Sequence, residues 1–139
     1  MDRAKLNREL GMKINTEIWN ERRLERIPDY FAEDFVADYS PYAIRRGRDE
    51  VRAMVERAHA TFENFREEVK TVVADENKIV IHFTIKGRQV GAWGIVPPTG
   101  KEVAFDEVVI MTVDNGKVVH QVGVVDNLNA LRQLGVIPS

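Results

Sequence analysis

The chain is 139 residues long, 44% hydrophobic and nearly neutral, with 20 Lys and Arg against 22 Asp and Glu for a formal charge of −2. This length predicts one domain spanning residues 1–139, burying roughly two-thirds of the surface its unfolded chain would expose, and the charge balance leaves no basic field to hold nucleic acid or an anionic membrane. The absence of cysteine excludes disulfides, thiolate catalysis and Cys-ligated zinc, and fits a reducing cytoplasm.

The opening MDRAKLNREL is charged throughout and does not read as a signal peptide. No apolar run approaches the ~18 residues of a membrane span, so a cytoplasmic protein without membrane contact is expected. From Asp2 to Asn20, Leu6, Leu10, Ile14 and Ile18 recur at helical spacing and predict an amphipathic helix. Gly11 weakens that helix by about 1 kcal/mol. A second short helix is predicted over Glu21–Ile27, before Pro28, and a short edge strand over Val36–Tyr39. Val51, Val55, Ala58 and Phe62 fall on one face of a third helix, Asp49–Phe62.

Four strands follow, at Phe65–Ala74, Lys78–Ile95, Glu102–Val113 and Lys117–Val125. Asp75 to Asn77 turn the first pair, a Pro-Pro-Thr-Gly loop joins the second, and Asn115-Gly116 supplies the positive φ angles of a two-residue hairpin. A closing helix follows Asp126, a favoured N-cap worth about 1 kcal/mol. Helices first and a meander afterwards give an α+β fold, a curled antiparallel sheet with about three N-terminal helices on its concave face. The last two strands are apolar on both parities: Phe105, Val109 and Met111 against Ala104, Val108 and Ile110, then Val119 and Val125 against Val118, Val122 and Val124. The helices can cover one face, so a homodimer through the convex face, carrying His120 with Val122 and Val124, is expected.

Gly87, Arg88, Val90 and Gly91, then Pro97-Pro98-Thr99, Asp114, Gly116 and Lys117, and Leu131-Arg132-Gln133-Leu134-Gly135 resemble the SnoaL-like polyketide cyclase family of the nuclear transport factor 2-like superfamily. The resemblance implies a cone-like half-barrel, a convex-face dimer and a blind pocket for a small hydrophobic or aromatic molecule. It also implies an acid/base carboxylate on the last strand at the position of Gly123, and a histidine on the preceding strand at the position of Val109. Neither residue can do that chemistry, so aldol cyclisation by the family's own base is disfavoured.

Candidates for proton transfer are therefore Glu107, if its strand parity points inward, and Asp126, whose helix-cap role would not exclude a role as base. Tyr39 or His59 would polarise a substrate oxygen. Trp19, Tyr42, Phe62, Trp93, Phe105, Val109, Met111 and Gly123 are candidate lining residues. Trp93, between Gly91 and Gly94, reads as a pocket rim, although aromatics at such positions commonly fill cores. Arg45, Arg46 and Arg48 would favour an acidic substrate if they faced the mouth. His59, His82 and His120 lack metal-site spacing, and there is no dinucleotide fingerprint, Walker loop or nucleophile elbow; the only serines are Ser40 and Ser139. No cofactor or metal is expected. Two functions fit: a cofactor-independent isomerase, dehydratase, cyclase or hydrolase acting on a small carbonyl compound, or a non-catalytic binding or dimerisation module with the same cavity.

Overall fold

A computed structural model describes residues 2–138; Met1 and Ser139 lie outside the described residues. Four α-helices, α1 (Arg3–Lys13), α2 (Ile27–Tyr30), α3 (Asp49–Thr61) and α4 (Asn127–Gln133), accompany six strands: β1 (Phe31–Tyr39), β2 (Ala43–Arg46), β3 (Phe62–Ala74), β4 (Lys78–Gln89), β5 (Glu102–Asp114) and β6 (Lys117–Val125). The strands form one curled, unclosed sheet in the order β2-β1-β6-β5-β4-β3. Every pairing is antiparallel except β1 with β6, which is parallel.

The first helix departs from its predicted face. Leu6 is 43% exposed, whereas Asn7 and Gly11 are buried together with Ile14 and Ile18. The reason is close approach: a Cβ on Gly11 would stand 2.8 Å from Ile79 Cγ2. Gly11 thus costs helix propensity but lets α1 settle on β4. Beyond Lys13 the helix widens into a π-helical stretch over Ile14–Asn20.

The predicted helix over Glu21–Ile27 is replaced by a 3₁₀ turn at Leu24–Arg26 and the single turn of α2. Arg22 takes φ 55°, which breaks the earlier helix. Pro28 sits in the first turn of α2, where a missing N–H costs nothing, so it opens a helix instead of closing one.

Val36–Tyr39 is not an edge. β1 lies inside the sheet, between β6 and β2, and the edge is β2, within the segment read as a basic cluster. β4 ends at Gln89, short of the predicted Ile95. Asn115 and Gly116 take φ 50° and 76°, as the β5–β6 hairpin requires.

Along β5 the odd-numbered residues from Val103 to Val113 are buried and the even ones are not, so Glu107 points inward and Asp106 outward. On β6 a register shift near Val119 turns Val118 inward with Gln121, leaving Val122 and Val124 outward. The grouping of Val118 with Val122 is thereby corrected, a consequence of one extra residue in the ladder. No helix among the described residues is long and apolar enough to cross a membrane.

Candidate functional site

The curled sheet, α3 and the π-helical stretch enclose a cavity of about 380 Å³. Its walls are mostly apolar: Ile14 and Trp19 from the π stretch, Met54 and Ala58 from α3, Phe62 and Phe65 from β3, and Phe83, Phe105, Val109 and Met111 from β4 and β5. Trp93 stacks near Phe105 and Phe62 at centroid distances of 5.7 and 6.0 Å.

Polar groups converge at the base of this wall. The Tyr39 hydroxyl donates to Glu107 Oε2 at 3.1 Å and accepts from Gln121 Nε2 at 2.8 Å. All three side chains line the cavity, and Glu107 and Gln121 are buried. Burial pushes the Glu107 carboxyl up to about 7, against the downward pull of the Tyr39 hydrogen bond. Burial, and then the Glu107 charge, hold the Tyr39 phenol well above its ordinary value, so its proton stays on oxygen.

Tyr39 reaches this position because Gly123 has no side chain: a Cβ there would clash with the Cε1–Cζ–Oη edge of the Tyr39 ring. Gly123 and Val109 are partners across β5 and β6. The phenol therefore covers Gly123, which lies behind it and not on the cavity wall.

A second buried carboxyl, Glu67 on β3, lines the same cavity and was not among the sequence candidates. Asn15 Nδ2 donates to its Oε1 at 3.0 Å. Asn20 clasps the Glu67 backbone from both sides, its Nδ2 donating to the carbonyl at 3.0 Å and its Oδ1 accepting from the N–H at 2.8 Å. A π turn bonds i to i+5, which brings residues five apart toward one side; Asn15 and Asn20 are so related. Burial and the Glu107 charge raise the Glu67 carboxyl well above the usual carboxylate range. The available signal was Glu67 sharing strand parity with the aromatic Phe65; the alternation of charges around it concealed the inward turn.

Of the remaining candidates, Trp19, Tyr42, Phe62, Trp93, Phe105, Val109 and Met111 all line the cavity, Tyr42 at its mouth and 83% exposed. Asp126 and His59 do not. Asp126 is exposed and caps α4 by accepting from Asn129 N at 3.1 Å. His59 Nε2 donates to the Trp19 carbonyl at 2.7 Å, bracing the π stretch, and burial lowers its pKa. Arg45 lines the mouth, whereas Arg48 turns away to the Phe31 carbonyl at 3.4 Å. Among the described residues, no group of His, Asp and Glu is placed to hold a metal ion.

Above the cavity, the 90–100 loop is organised by Gln89, whose side chain is fully buried. Its Nε2 donates to the carbonyls of Gly91, Val96 and Pro97, and its Oε1 accepts from Thr99 N and Oγ1. Gly91 packs so closely that a Cβ would stand 2.7 Å from the Ala60 carbonyl oxygen. Trp93 is thus carried on a fixed loop.

A curled, unclosed sheet wrapped around helices defines the cone-shaped α+β class shared by the nuclear transport factor 2-like proteins. The model of the family described as SnoaL-like polyketide cyclase matches residues 10–134, and the chain belongs to that family. A SnoaL-like polyketide cyclase candidate from Jannaschia sp. CCS1 is similar in structure, with a TM-score of 0.87 at 19% identity, covering 97% of this chain and 95% of that one. TsrD from Streptomyces laurentii has a TM-score of 0.86 at 22% identity, with 96% and 97% covered. AclR from Streptomyces galilaeus, for which a hydroxylase role has been put forward, has a TM-score of 0.81 at 25% identity, with 96% and 83% covered. No curated protein matches the sequence.

Proposed function

We propose that the protein is a cofactor-independent acid–base enzyme that binds a small hydrophobic or aromatic carbonyl compound in the cavity and moves a proton next to the carbonyl. Glu107 is the base; as it takes up the substrate proton, the Tyr39 O–H that donates to it in the resting site turns to the developing oxyanion, with Gln121 holding the phenol oxygen in place. The observation that carries this reading is a buried carboxyl near pKa 7 in hydrogen-bond contact with a protonated phenol inside an apolar cavity. The reading covers isomerase, dehydratase, cyclase and hydrolase outcomes, which share the enolisation step. In solution the protein is a homodimer joined through the outward residues of β5 and β6.

A second reading has its own support. Gly123 stands where the family resemblance implies the acid/base residue, and a cavity without that group suits a non-catalytic binding module. The two separate by solvent-deuterium incorporation into the α-position of 2-tetralone, followed by NMR. The enzyme reading expects exchange above the buffer rate, lowered about 100-fold or more in Glu107→Gln and less in Tyr39→Phe. Exchange no faster than in buffer, with the ketone still bound, would leave only the binding module.

A further inference from the structure

Of the described residues that line the cavity, two are cationic, Arg45 from β2 and Arg57 from α3. Arg57 is exposed, Arg45 is half-buried, and the exposed Tyr42 lies in the same rim. Arg57 has no ion-pair partner among the described residues, although Arg52 and Glu56 on the same helix pair with each other at 3.6 Å. Arg45 is held only by a long contact to Glu50, at 3.5 Å.

The deep end of the cavity is the opposite in character. Glu67 and Glu107 both face it, each is buried, and no Arg, Lys or His bonds to either. An anionic group pushed to that end would lose its hydration with no cation there to pair with it, which is strongly unfavourable. A neutral carbonyl or hydroxyl needs no counter-ion there and meets the second Asn15 N–H, the first being given to Glu67. Polarity therefore runs in one direction along the cavity: cationic at the mouth, apolar and aromatic along the walls, and carboxyls without a cation at the far end.

We propose that Arg45 and Arg57 form an anion subsite at the mouth, and that the ligand is an amphiphilic acid: an apolar, ring-bearing body with a carboxylate held at the rim and a neutral polar end against Glu107 and Tyr39. This rests on the cavity being the ligand site and adds the ligand's charge and direction. Guanidinium groups suit the role because their planar fork matches a carboxylate and stays charged at every working pH. Their exposure makes the attraction modest and sensitive to salt.

The test compares 1-naphthylacetate with its neutral amide, 1-naphthylacetamide, which have the same ring body. Binding is followed by the indole N–H signals of Trp19 and Trp93, the chain's two tryptophans, both of which line the cavity. At low salt the acid is expected to bind about 5-fold or more tightly than the amide, with the advantage shrinking in ~0.5 M salt. Arg57→Gln and Arg45→Gln should each weaken the acid about 3-fold, the double variant should abolish its advantage, and amide affinity should change less than about 2-fold. Equal binding of the two probes, or a preference for the acid that survives the double variant, would overturn the subsite. In that event the Glu107-dependent exchange of 2-tetralone still stands or falls by itself. If neither probe moves an indole signal, the subsite falls and the cavity reading falls with it.

Discussion

Gly123 has no side chain, and the Tyr39 ring fills the space where one would stand. This substitution of a phenol for a side chain on β6 is what lets a residue of β1 reach Glu107. Gly123→Ala places a methyl group against the ring, so the expected result is a loss of about 1–3 kcal/mol from overpacking. Displacing the phenol also removes the hydrogen bond that pulls the Glu107 pKa down, so that pKa should rise further. Urea unfolding and carboxyl carbon-13 NMR titration measure the two effects; an unchanged Glu107 titration would mean that the phenol had not been displaced.

The same carboxyl predicts how stability responds to pH. Glu107 has a folded value of about 7 against an ordinary 4.5. A raised value means the folded state holds the proton more tightly, so the contribution is fully present below pH ~4.5 and is lost as pH rises through about 7. The loss is on the order of 3 kcal/mol, and Glu67 acts in the same direction. Unfolding free energy should therefore fall across this window, and Glu107→Gln should flatten the fall. A profile that rises with pH, or one that the variant leaves unaltered, would contradict the buried-acid assignment. If Glu107 acts as base, the exchange rate should climb over the same range in which stability declines.

Among the elements, two irregular segments add side chains to a cavity walled mostly by regular strands and α3. The π-helical stretch brings Asn15 and Asn20 together onto Glu67, and the 90–100 loop holds Trp93 on the cavity wall against Phe62 and Phe105. Gln89→Ala would strip the loop of five side-chain hydrogen bonds, four of them to its backbone. The expected cost is about 2–3 kcal/mol, together with faster amide exchange over residues 90–100 and weaker ligand binding. Amide exchange of that loop as slow as in the parent would refute the anchoring role. Regular elements were the readable ones: the period-two alternation of β5 placed Phe105, Glu107, Val109 and Met111 on one face, and Asn115-Gly116 located the hairpin. The π stretch, β2 and the Gln89-centred loop escaped because hydrophobic spacing does not encode side-chain-to-backbone bonds across the fold.

At the scale of the whole molecule, the outward face of the sheet divides into two zones. Across β3, β4 and β5, Asp106 is held down at about 2 by hydrogen bonds from Thr84, His82 and Lys70. Beside it, Ile110, Val122 and Val124 are 41%, 37% and 70% exposed in the isolated chain. An apolar patch bordered by a charged network has the make-up of a subunit interface. Val124→Asp should yield folded monomers in light scattering, because Val124 packs against little within its own chain; a variant that remains a dimer would remove β6 from the interface.

Composition, alternation and turn chemistry were enough to determine an α+β fold with a long meander and to put Glu107 on the strand face of Phe105 with Asp106 on the other; because both faces are apolar, only the fold decided that Glu107 turns inward. Those signals are local, since a strand's two faces and a two-residue turn are set by neighbours in the chain. The working arrangement is not local. Tyr39 meets Glu107 across 68 residues and Asn15 meets Glu67 across 52, and only the closing of the sheet around the helices brings them into one cavity. Burial there also changes what the residues are: carboxyls that would be ordinary surface acids in water become proton-holding groups when the fold takes them out of it.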